Sequence, residues 1–365
     1  MRLIIAGGGT GGHLFPGIAV AEEFLARDPS NEVLFIGTER GIEARAVPAA
    51  GYTVELISAA GIRGKGILSQ LKGAAMMAYG YSQSRKILKR YRPDLVLGVG
   101  GYASLPMVLA ARGMQIPRFI HEQNAIPGQT NRLLSRFVNN VFITLDESAR
   151  YFPAAKTMLT GNPLRRQILD MVDQISPSDA KEDIRNAESF HLFVFGGSQG
   201  AHAINNAMIE ALPLLKQSHI NMKITHQTGE KDHSTVMAAY QAAGMEAHVT
   251  PFISNMAAEY ATADLIICRA GATTIAEVTA CGKACLFIPF PHAVDDHQRR
   301  NAEALLKKDA CFMMLERELS GGILAGTIRT LADDPGLVHR TGEHALSLAK
   351  LDAARIIVDQ MIDTN

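Results

Sequence analysis

The stretch RLIIAGGGTGGH (residues 2–13) joins an apolar run to a glycine-rich turn, and it decides the fold of the first half. Its glycines match the pattern G-x-G-x-x-G, and the amphipathic pattern over 16–27 predicts a helix after the turn. A second stretch, FHLFVFGGSQGAH (190–202), repeats the succession of strand, glycine turn and helix. Such a unit places backbone N–H groups and a helix N-terminus where a phosphate can bind. The sequence therefore predicts two nucleotide-binding α/β halves.

Short apolar runs alternate with longer amphipathic ones along both halves. The predicted strands lie at 2–6, 32–36, 53–57, 94–98, 117–121, 140–144, 190–195, 222–226, 264–268, 284–288 and 311–315. Apolar strands separated by helices indicate parallel sheets that are covered on both faces. We therefore predict an α/β protein with two Rossmann-like, doubly wound domains, at 1–162 and 163–342. The turn cluster at 160–165 is the predicted hinge, and the segment 343–365, helical over about 343–362, is expected to pack back on the first domain.

Composition and charge restrict the function classes. The 365 residues carry 36 basic and 36 acidic side chains, so the formal net charge is zero. No general attraction to nucleic acid is therefore expected. The four cysteines lie in apolar surroundings, which is typical of a reducing cytoplasm. The N-terminus lacks a signal-peptide pattern, and no apolar run is long enough to predict a membrane span.

A dinucleotide-dependent dehydrogenase is one interpretation of the first glycine turn. Glu39 follows the second predicted strand, where an acidic residue would bind the ribose of NAD. Against this, His13 follows the glycine run at once, and no catalytic pair typical of hydride transfer is evident. The glycine pattern alone is weak evidence for any one ligand.

Eight uncommon strings occur in order along nearly the whole chain. They are GGGTGGHLFPG (7–17), GVGGYASLP (98–106), HEQNAIPGQTNR (121–132), GNPLRR (161–166), GGSQGAHAIN (196–205), PFISNM (251–256), CRAGATTIAEV (268–278) and PFPHAVDDHQRRNA (289–302). Together they resemble the MurG family, the UDP-N-acetylglucosamine–N-acetylmuramyl-(pentapeptide) pyrophosphoryl-undecaprenol N-acetylglucosamine transferases of bacterial peptidoglycan synthesis.

The resemblance implies a GT-B fold, in which two Rossmann-like domains face each other across a cleft. It implies an inverting transfer of GlcNAc from UDP-GlcNAc to lipid I, undecaprenyl-pyrophosphoryl-MurNAc-pentapeptide, which forms lipid II. The expected location is the cytoplasmic face of the bacterial cell membrane, with the protein peripheral and in contact with anionic lipid. A cell-wall synthesis complex is a further expected partner, and no cofactor is expected.

The resemblance also implies a set of substrate-binding residues. On the donor side, Ser198 and Gln199 meet the diphosphate, Arg165 neutralises it, Ile253 reads uracil through backbone groups and Glu277 holds the ribose diol. The remaining expected positions are Gln298 and Asn301 at the sugar, Ala272, Thr273 and Thr274 beside Glu277, and Thr10, Gly11, Gly12, Tyr102 and Asn124 in the N-terminal domain.

The residues themselves suggest how such a transfer proceeds. The chain has no Asp-x-Asp pair to hold a metal ion, so helix N-termini and Arg165 must meet the charge of the leaving diphosphate. His13 is the candidate base, because a helix N-terminus disfavours the imidazolium form. Glu122 and Asn124 are candidate assistants in catalysis. Alternatively, His13 only orients the diphosphate or caps the turn.

Three further patterns have alternatives. Glu277 taken alone is compatible with a surface glutamate in a first helical turn. Four possible metal ligands lie close together in sequence, namely Cys281, Cys285, His292 and His297. The spacing C-x-x-x-C is not a usual zinc motif, so we expect the cysteines to be core thiols and no metal to bind. The segment 61–93 contains basic and apolar residues and no acidic residue. This pattern predicts a contact with the membrane, or alternatively an ordinary amphipathic helix packed on the core. The predicted membrane-contact residues are Lys65, Ile67, Leu68, Leu71, Lys72 and Met76.

Three other functions fit the same architecture. One is a UDP-GlcNAc epimerase, which would release UDP without an acceptor. Another is a glycolipid transferase with diacylglycerol as its acceptor. The third is a non-enzymatic UDP-sugar sensor, in which His13 and the GGYAS and HEQN loops would have no role.

Overall fold

The computed structural model describes residues 1–39, 41–59, 67–174, 189–197 and 199–364, without the side chains of 67–72 and 74. The chain forms two compact units. The first unit comprises Met1–Arg166 and Lys350–Asn365, and the second comprises Gln167–Ala349. The predicted boundaries at 162/163 and 342/343 thus fall a few residues before those of the structure.

The first unit contains a parallel sheet with the strand order β3-β2-β1-β4-β5-β6-β7. Its strands are β1 Arg2–Gly7, β2 Glu32–Gly37, β3 Thr53–Leu56, β4 Leu95–Gly100, β5 Arg118–Glu122, β6 Asn140–Ile143 and β7 Thr157–Leu159. Its helices include α1 Gly11–Arg27, α2 Glu43–Ala49, α3 Ile67–Tyr91, α4 Ser104–Gly113 and α5 Gln129–Leu134. Ile4 contributes to the apolar core on one face of this sheet, and Leu3 and Ile5 to the core on the other.

The second unit repeats this topology with the order β10-β9-β8-β11-β12-β13. Its strands are β8 Phe190–Phe195, β9 Met222–Gln227, β10 Ala247–Thr250, β11 Leu265–Cys268, β12 Ala284–Phe287 and β13 Phe312–Met313. Its helices include α7 His202–Gln217, α8 His233–Ala243, α9 Met256–Thr262, α10 Ala272–Ala280, α11 His297–Leu306, α12 Gly321–Ala332 and α13 Pro335–Ser347, while α6 Arg166–Gln174 begins at the last residue of the first unit.

The predicted C-terminal helix over about 343–362 is wrong as a single element. Helix α13 ends at Ser347 in the second unit, and a separate helix, α14 Ala353–Asp363, belongs to the first. Ile357 and Met361 of α14 are fully buried in the first unit's core, and Asp359 pairs with Arg27 of α1 at 2.7 Å. The helical spacing of apolar residues continues through the break, because each helix buries one face. This spacing does not show in which of the two cores a face is buried.

The other differences concern strands at or near the sheet edges. Strands β7 and β10 were not predicted, and β13 is shorter than the predicted 311–315. Strands β7 and β10 are mostly half-exposed, so they lack the continuous apolar runs of the central strands.

The two strand orders place a ligand crevice in each unit. Counted within each unit, both sheets have the order 3-2-1-4-5-6 from one edge, and the first adds a seventh strand, β7. The order therefore reverses between β1 and β4 in the first unit and between β8 and β11 in the second. Ligands of such sheets bind outside the carboxyl ends of the strands at this reversal. The two glycine turns follow β1 and β8, so each lies at such a point.

Candidate active site

In the first unit, the glycine turn after β1 packs backbone to backbone against the turn after β4. Gly8 N donates to Gly100 O at 3.3 Å. A Cβ atom on Gly7 would lie 2.2 Å from Gly100 O, and one on Gly101 would lie 2.4 Å from Gly8 O. All four glycines have positive φ. Only glycine fits this contact, which brings the GGGTGGH and GGYAS strings together at the crevice.

His13 lies in the first turn of α1 and is half-buried. Its Nδ1 atom is 2.8 Å from Gln123 Oε1, on the loop that follows β5. A Cβ atom on Gly100 would lie 3.0 Å from the same Nδ1 atom, so the absence of a side chain at Gly100 makes room for the imidazole ring. The structure thus gathers three of the predicted strings around His13.

The HEQN loop is held by a buried carboxylate. Glu122 is 1% exposed, and its Oε1 accepts from Asn124 N at 3.0 Å. Its Oε2 accepts from Gly128 N at 3.1 Å and from Asn131 Nδ2 at 2.9 Å. Glu122 therefore fixes the shape of the loop, and Asn124 is half-exposed beside it. The predicted assistance of both residues in catalysis stays a prediction.

Glu43, at the start of α2, is a site residue that the sequence reasoning missed. Its carboxylate is 2% exposed and accepts from Gly9 N at 2.8 Å, from Thr38 N at 2.8 Å and from Thr38 Oγ1 at 3.0 Å. One amide of the first glycine turn is therefore bonded to an internal carboxylate. Glu39, the candidate for the ribose of NAD, is instead exposed. A Cβ atom on Gly37 or Gly41 would collide with the Glu43 side chain, which explains the two glycines of the GTERGIE string (37–43).

The other predicted residues of the first unit lie near the surface. Thr10 is exposed and Tyr102 is 56% exposed, while Gly11 and Gly12 form the half-buried start of α1. The Arg165 guanidinium lies 5.1 Å from the centroid of the Phe15 ring, which belongs to α1. A positive charge therefore lies beside the helix that carries His13.

In the second unit, the glycine turn after β8 is tied to the PFI segment by Gln227. This side chain is 2% exposed; its Nε2 donates to Gly197 O at 3.0 Å, and its Oε1 accepts from Ile253 N at 3.0 Å. Gly200 has φ +74°, and a Cβ atom there would lie 2.0 Å from Thr228 O. The predicted recognition of uracil by backbone groups of Ile253 stays a prediction. Gln199 is exposed, and Ser198 lies outside the described residues.

Glu277 is a buried carboxylate rather than a surface one. It is 4% exposed, and Tyr260 Oη donates to its Oε2 at 3.0 Å. Burial, and then the charge of Glu277, raises the pKa of Tyr260, so the phenol stays a donor. Helix α10 begins at Ala272, with Thr273 and Thr274 half-buried in its first turn. The alternative of a solvated glutamate is therefore wrong.

Gln298 and Asn301 both hold loop backbone. Gln298 Oε1 accepts from Phe290 N at 3.0 Å. Asn301 is fully buried, and its Nδ2 donates to Ala270 O at 3.3 Å. Between β12 and α11, Asp295 and Asp296 have φ values of +52° and +55°, a costly backbone that is common at ligand sites. The predicted sugar contacts of Gln298 and Asn301 stay predictions.

Of the two cysteines considered as metal ligands, Cys285 is fully buried and Cys281 is half-buried. Cys285 Sγ lies 3.5 Å from Cys268 Sγ on the neighbouring strand, and burial raises the pKa of Cys285 well above its usual value. Burial likewise raises the pKa of Cys281 to about 12. Among the described residues, no group of three His, Cys, Asp or Glu side chains is arranged to hold a metal ion.

The predicted membrane segment is described in part. Lys65 lies outside the described residues; Ile67, Leu68, Leu71 and Lys72 belong to α3, but their side chains are not described. Met76 is half-buried, and the neighbouring Tyr79 is 60% exposed. Within the described ranges, no helix has the length and hydropathy to cross a membrane.

Comparison with known proteins assigns the family. The glycosyltransferase family 28 N-terminal domain matches residues 3–143, and the family's C-terminal domain matches 191–340. This chain belongs to glycosyltransferase family 28. The predicted enzyme class is thereby confirmed, and both glycine turns fall inside the matched domains of the family.

Individual relatives extend the likeness to the whole chain. A protein of Pelobacter propionicus, named UDP-N-acetylglucosamine–N-acetylmuramyl-(pentapeptide) pyrophosphoryl-undecaprenol N-acetylglucosamine transferase, is 68% identical over 378 residues, which covers 99% of both chains. The crystal structure of Acinetobacter baumannii MurG has a TM-score of 0.79 at 32% identity, with 99% of both chains covered. The predicted GT-B class of two Rossmann-like domains is confirmed.

The epimerase alternative shares this fold alone. A UDP-GlcNAc 2-epimerase from Neisseria meningitidis, solved with UDP-GlcNAc bound, has a TM-score of 0.70 at 14% identity over the full length of both chains. Such a likeness carries no inference about activity.

Proposed function

We propose that this family 28 enzyme transfers GlcNAc from UDP-GlcNAc to lipid I and so forms lipid II, with inversion at the anomeric carbon. The observation that carries the proposal is the 68% identity, over 99% of both chains, with the relative that is named for this transfer. The N-acetylmuramyl-(pentapeptide) pyrophosphoryl-undecaprenol acceptor comes from that name. The peptidoglycan pathway comes from the resemblance, and the residue roles below rest on the resemblance and on the geometry of each unit.

The second unit is the proposed donor site. Its glycine turn, held by Gln227, faces the start of α7, where a helix N-terminus favours a diphosphate. Buried Glu277 suits a vicinal diol, because one carboxylate can accept hydrogen bonds from both hydroxyls. The exposed Gln199 and the first turn of α10, Ala272 to Thr274, complete the set, together with Ser198, Gln298 and Asn301 from the resemblance.

The first unit is the proposed acceptor site, with His13 as general base. His13 Nε2 removes the proton of the acceptor hydroxyl while that oxygen bonds to the anomeric carbon. The bond from this carbon to the β-phosphate oxygen breaks, and UDP leaves with the electron pair. Helix N-termini and Arg165 stabilise the charge of the leaving diphosphate. Asn124, Tyr102 and Thr10 are the proposed acceptor contacts, and the proton passes from His13 to solvent.

A peripheral contact with anionic lipid on the cytoplasmic face of the cell membrane is part of the proposal, since the acceptor carries a polyprenyl tail. It is supported by the exposed Arg85, Lys86 and Lys89 of α3. Flotation with anionic vesicles tests it: we expect binding that falls as salt is raised. Binding that ignores both lipid charge and salt would contradict the contact. Membership in a cell-wall synthesis complex is also proposed.

The activity is tested by UDP release from UDP-GlcNAc, with and without a short-chain lipid I analogue, in EDTA. We expect release that requires the analogue and survives EDTA. His13→Ala should lower kcat by about 10²-fold or more, whereas His248→Ala, an exposed histidine on β10, should leave it unchanged. UDP release without any acceptor would point to an epimerase or hydrolase and would overturn the transferase assignment.

A further inference from the structure

We propose that Gln123, itself oriented by Val99 and His121, fixes the tautomer of His13 so that Nε2 is the proton-accepting atom. This inference rests on the proposed role of His13 as base. It assigns a positioning function to Gln123, a residue of the HEQN string that has no role in the resemblance. The argument starts from the hydrogen-bonding capacity of each atom.

The orientation of the Gln123 amide is determined by a backbone carbonyl. Gln123 is 1% exposed, and its amide end lies 3.0 Å from Val99 O. A carbonyl oxygen can only accept, so the atom facing it must be the NH₂ group. The opposite assignment would place two oxygens against each other in the interior. Gln123 Oε1 therefore faces His13 Nδ1, at 2.8 Å.

A second buried histidine uses the other amide hydrogen. Gln123 Nε2 donates to His121 Nδ1 at 3.0 Å, which requires that this ring nitrogen carry no proton. The proton of the neutral His121 ring is then on Nε2, which donates to Gly161 O at 3.2 Å. Burial lowers the pKa of His121 to about 4, so the neutral ring that this network requires is the stable form near neutral pH.

The consequence for His13 follows directly. Because Gln123 Oε1 can only accept, His13 Nδ1 must donate and carries the proton. In the neutral ring, Nε2 then has the lone pair. When Nε2 takes a proton, the Nδ1–H···Oε1 hydrogen bond strengthens, because its donor becomes charged. Gln123 thus selects the reactive tautomer of His13 and stabilises its imidazolium form. Gln123 is itself held by the hydrogen bonds that lead through His121 to Gly161 O.

The direct test is an NMR measurement of ring-nitrogen shifts on the full-length protein with isotope-labelled histidine. His13 is assigned by the signal lost in His13→Ala. In the neutral His13 ring we expect a protonated Nδ1 and an unprotonated Nε2. A wild-type His13 with Nε2 protonated, or with the two tautomers mixed, would overturn the inference without touching the proposed function. The assignment requires only that His13→Ala be folded, which unchanged signals from the other histidines would show.

Kinetics of Gln123→Met provide the second test, since methionine keeps the length of the side chain and removes the amide. We expect a mixed tautomer in the spectrum and a kcat lower by about 10–10²-fold. The KM for UDP-GlcNAc should stay within about two-fold of wild type, because all the proposed donor contacts except Arg165 lie in the second unit. Gln83→Met is the matched control, because Gln83 Oε1 also accepts a hydrogen bond, from Ser58 N of the same unit at 2.8 Å; it should leave the His13 spectrum and kcat unchanged. An unchanged spectrum and kcat in Gln123→Met would refute the positioning role. If His13→Ala retains full activity, the base assignment fails instead.

Discussion

Glu43→Gln tests whether a buried carboxylate maintains the first glycine turn. Both carboxylate oxygens accept from donors, namely Gly9 N, Thr38 N and Thr38 Oγ1. Glutamine has nearly the same shape, but it turns one of these acceptors into an NH₂ group. With the amide in its less costly orientation, that group faces Gly9 N–H, and two donors then oppose each other.

The magnitude follows from the number of bonds. One charge-assisted hydrogen bond is lost and the other two become neutral, which costs about 2.5–7 kcal/mol, since a bond to a charged group contributes about 1.5–3 kcal/mol and a neutral one about 1 kcal/mol. Removing a buried charge returns part of this cost. We therefore expect a net destabilisation of at least about 2 kcal/mol, which lowers the first thermal transition by at least about 4 °C for a domain of this size.

The assay combines calorimetry with steady-state kinetics. The turn shapes the start of α1, so the KM for the lipid I analogue should rise while the KM for UDP-GlcNAc stays near wild type. Glu39→Gln is the matched control, since Glu39 is exposed and lies in the same stretch after β2. A Glu43→Gln protein with the transition temperature and acceptor KM of wild type would refute the reasoning.

Two further predictions concern other buried polar groups. Tyr260→Phe removes the hydrogen bond to Glu277 and should raise the KM for UDP-GlcNAc by about 5–20-fold, with kcat little changed. The control is Tyr240→Phe, at a tyrosine that is equally buried in the same unit, and it should leave that KM unchanged. Equal effects of the two substitutions would contradict a role of Tyr260 in holding Glu277 for the donor. Burial lowers the pKa of His121 to about 4 and the pKa of His226 to about 3. Below the unfolded pKa of about 6.5, the unfolded chain therefore binds more protons than the folded one. As the pH falls, each histidine lowers the free energy of unfolding by up to about 1.4 kcal/mol per pH unit. Urea unfolding at about pH 7.5 and about pH 5 measures this loss, and equal stability at both values would contradict it.

The fold was largely predictable because each half carries its own strong local signal. Central strands such as β1 and β8 are continuous apolar runs that enter glycine turns, and a parallel sheet follows from their alternation with helices. The break between α13 and α14 was not predictable from periodicity, because each helix buries one face but in a different unit. Whether a core-facing residue belongs to one core or another depends on long-range packing.

The site was predictable as a set of strings but not as a set of contacts. His13 and Gln123 are separated by 110 positions, and Glu43 and Gly9 by 34. Nothing local in the sequence indicates that these pairs meet. No motif marks Gln227. Its place at the carboxyl end of β9 indicates a site residue only once the strand order is known, because ligands bind at that end of the strands.

The residues of the strings separate into two physical groups. Thr10, Tyr102 and Gln199 are exposed at the carboxyl edges of the sheets, where a substrate can contact them. Glu122 and Asn301, by contrast, are buried and hydrogen-bonded to loop atoms, so their substitution disturbs the loop as well as any contact with the substrate. A buried polar group that loses its partner costs more than the bond itself contributes. Stability measured beside kcat and KM therefore separates the two groups: substitutions in the first should change kinetics alone, and those in the second should change both together.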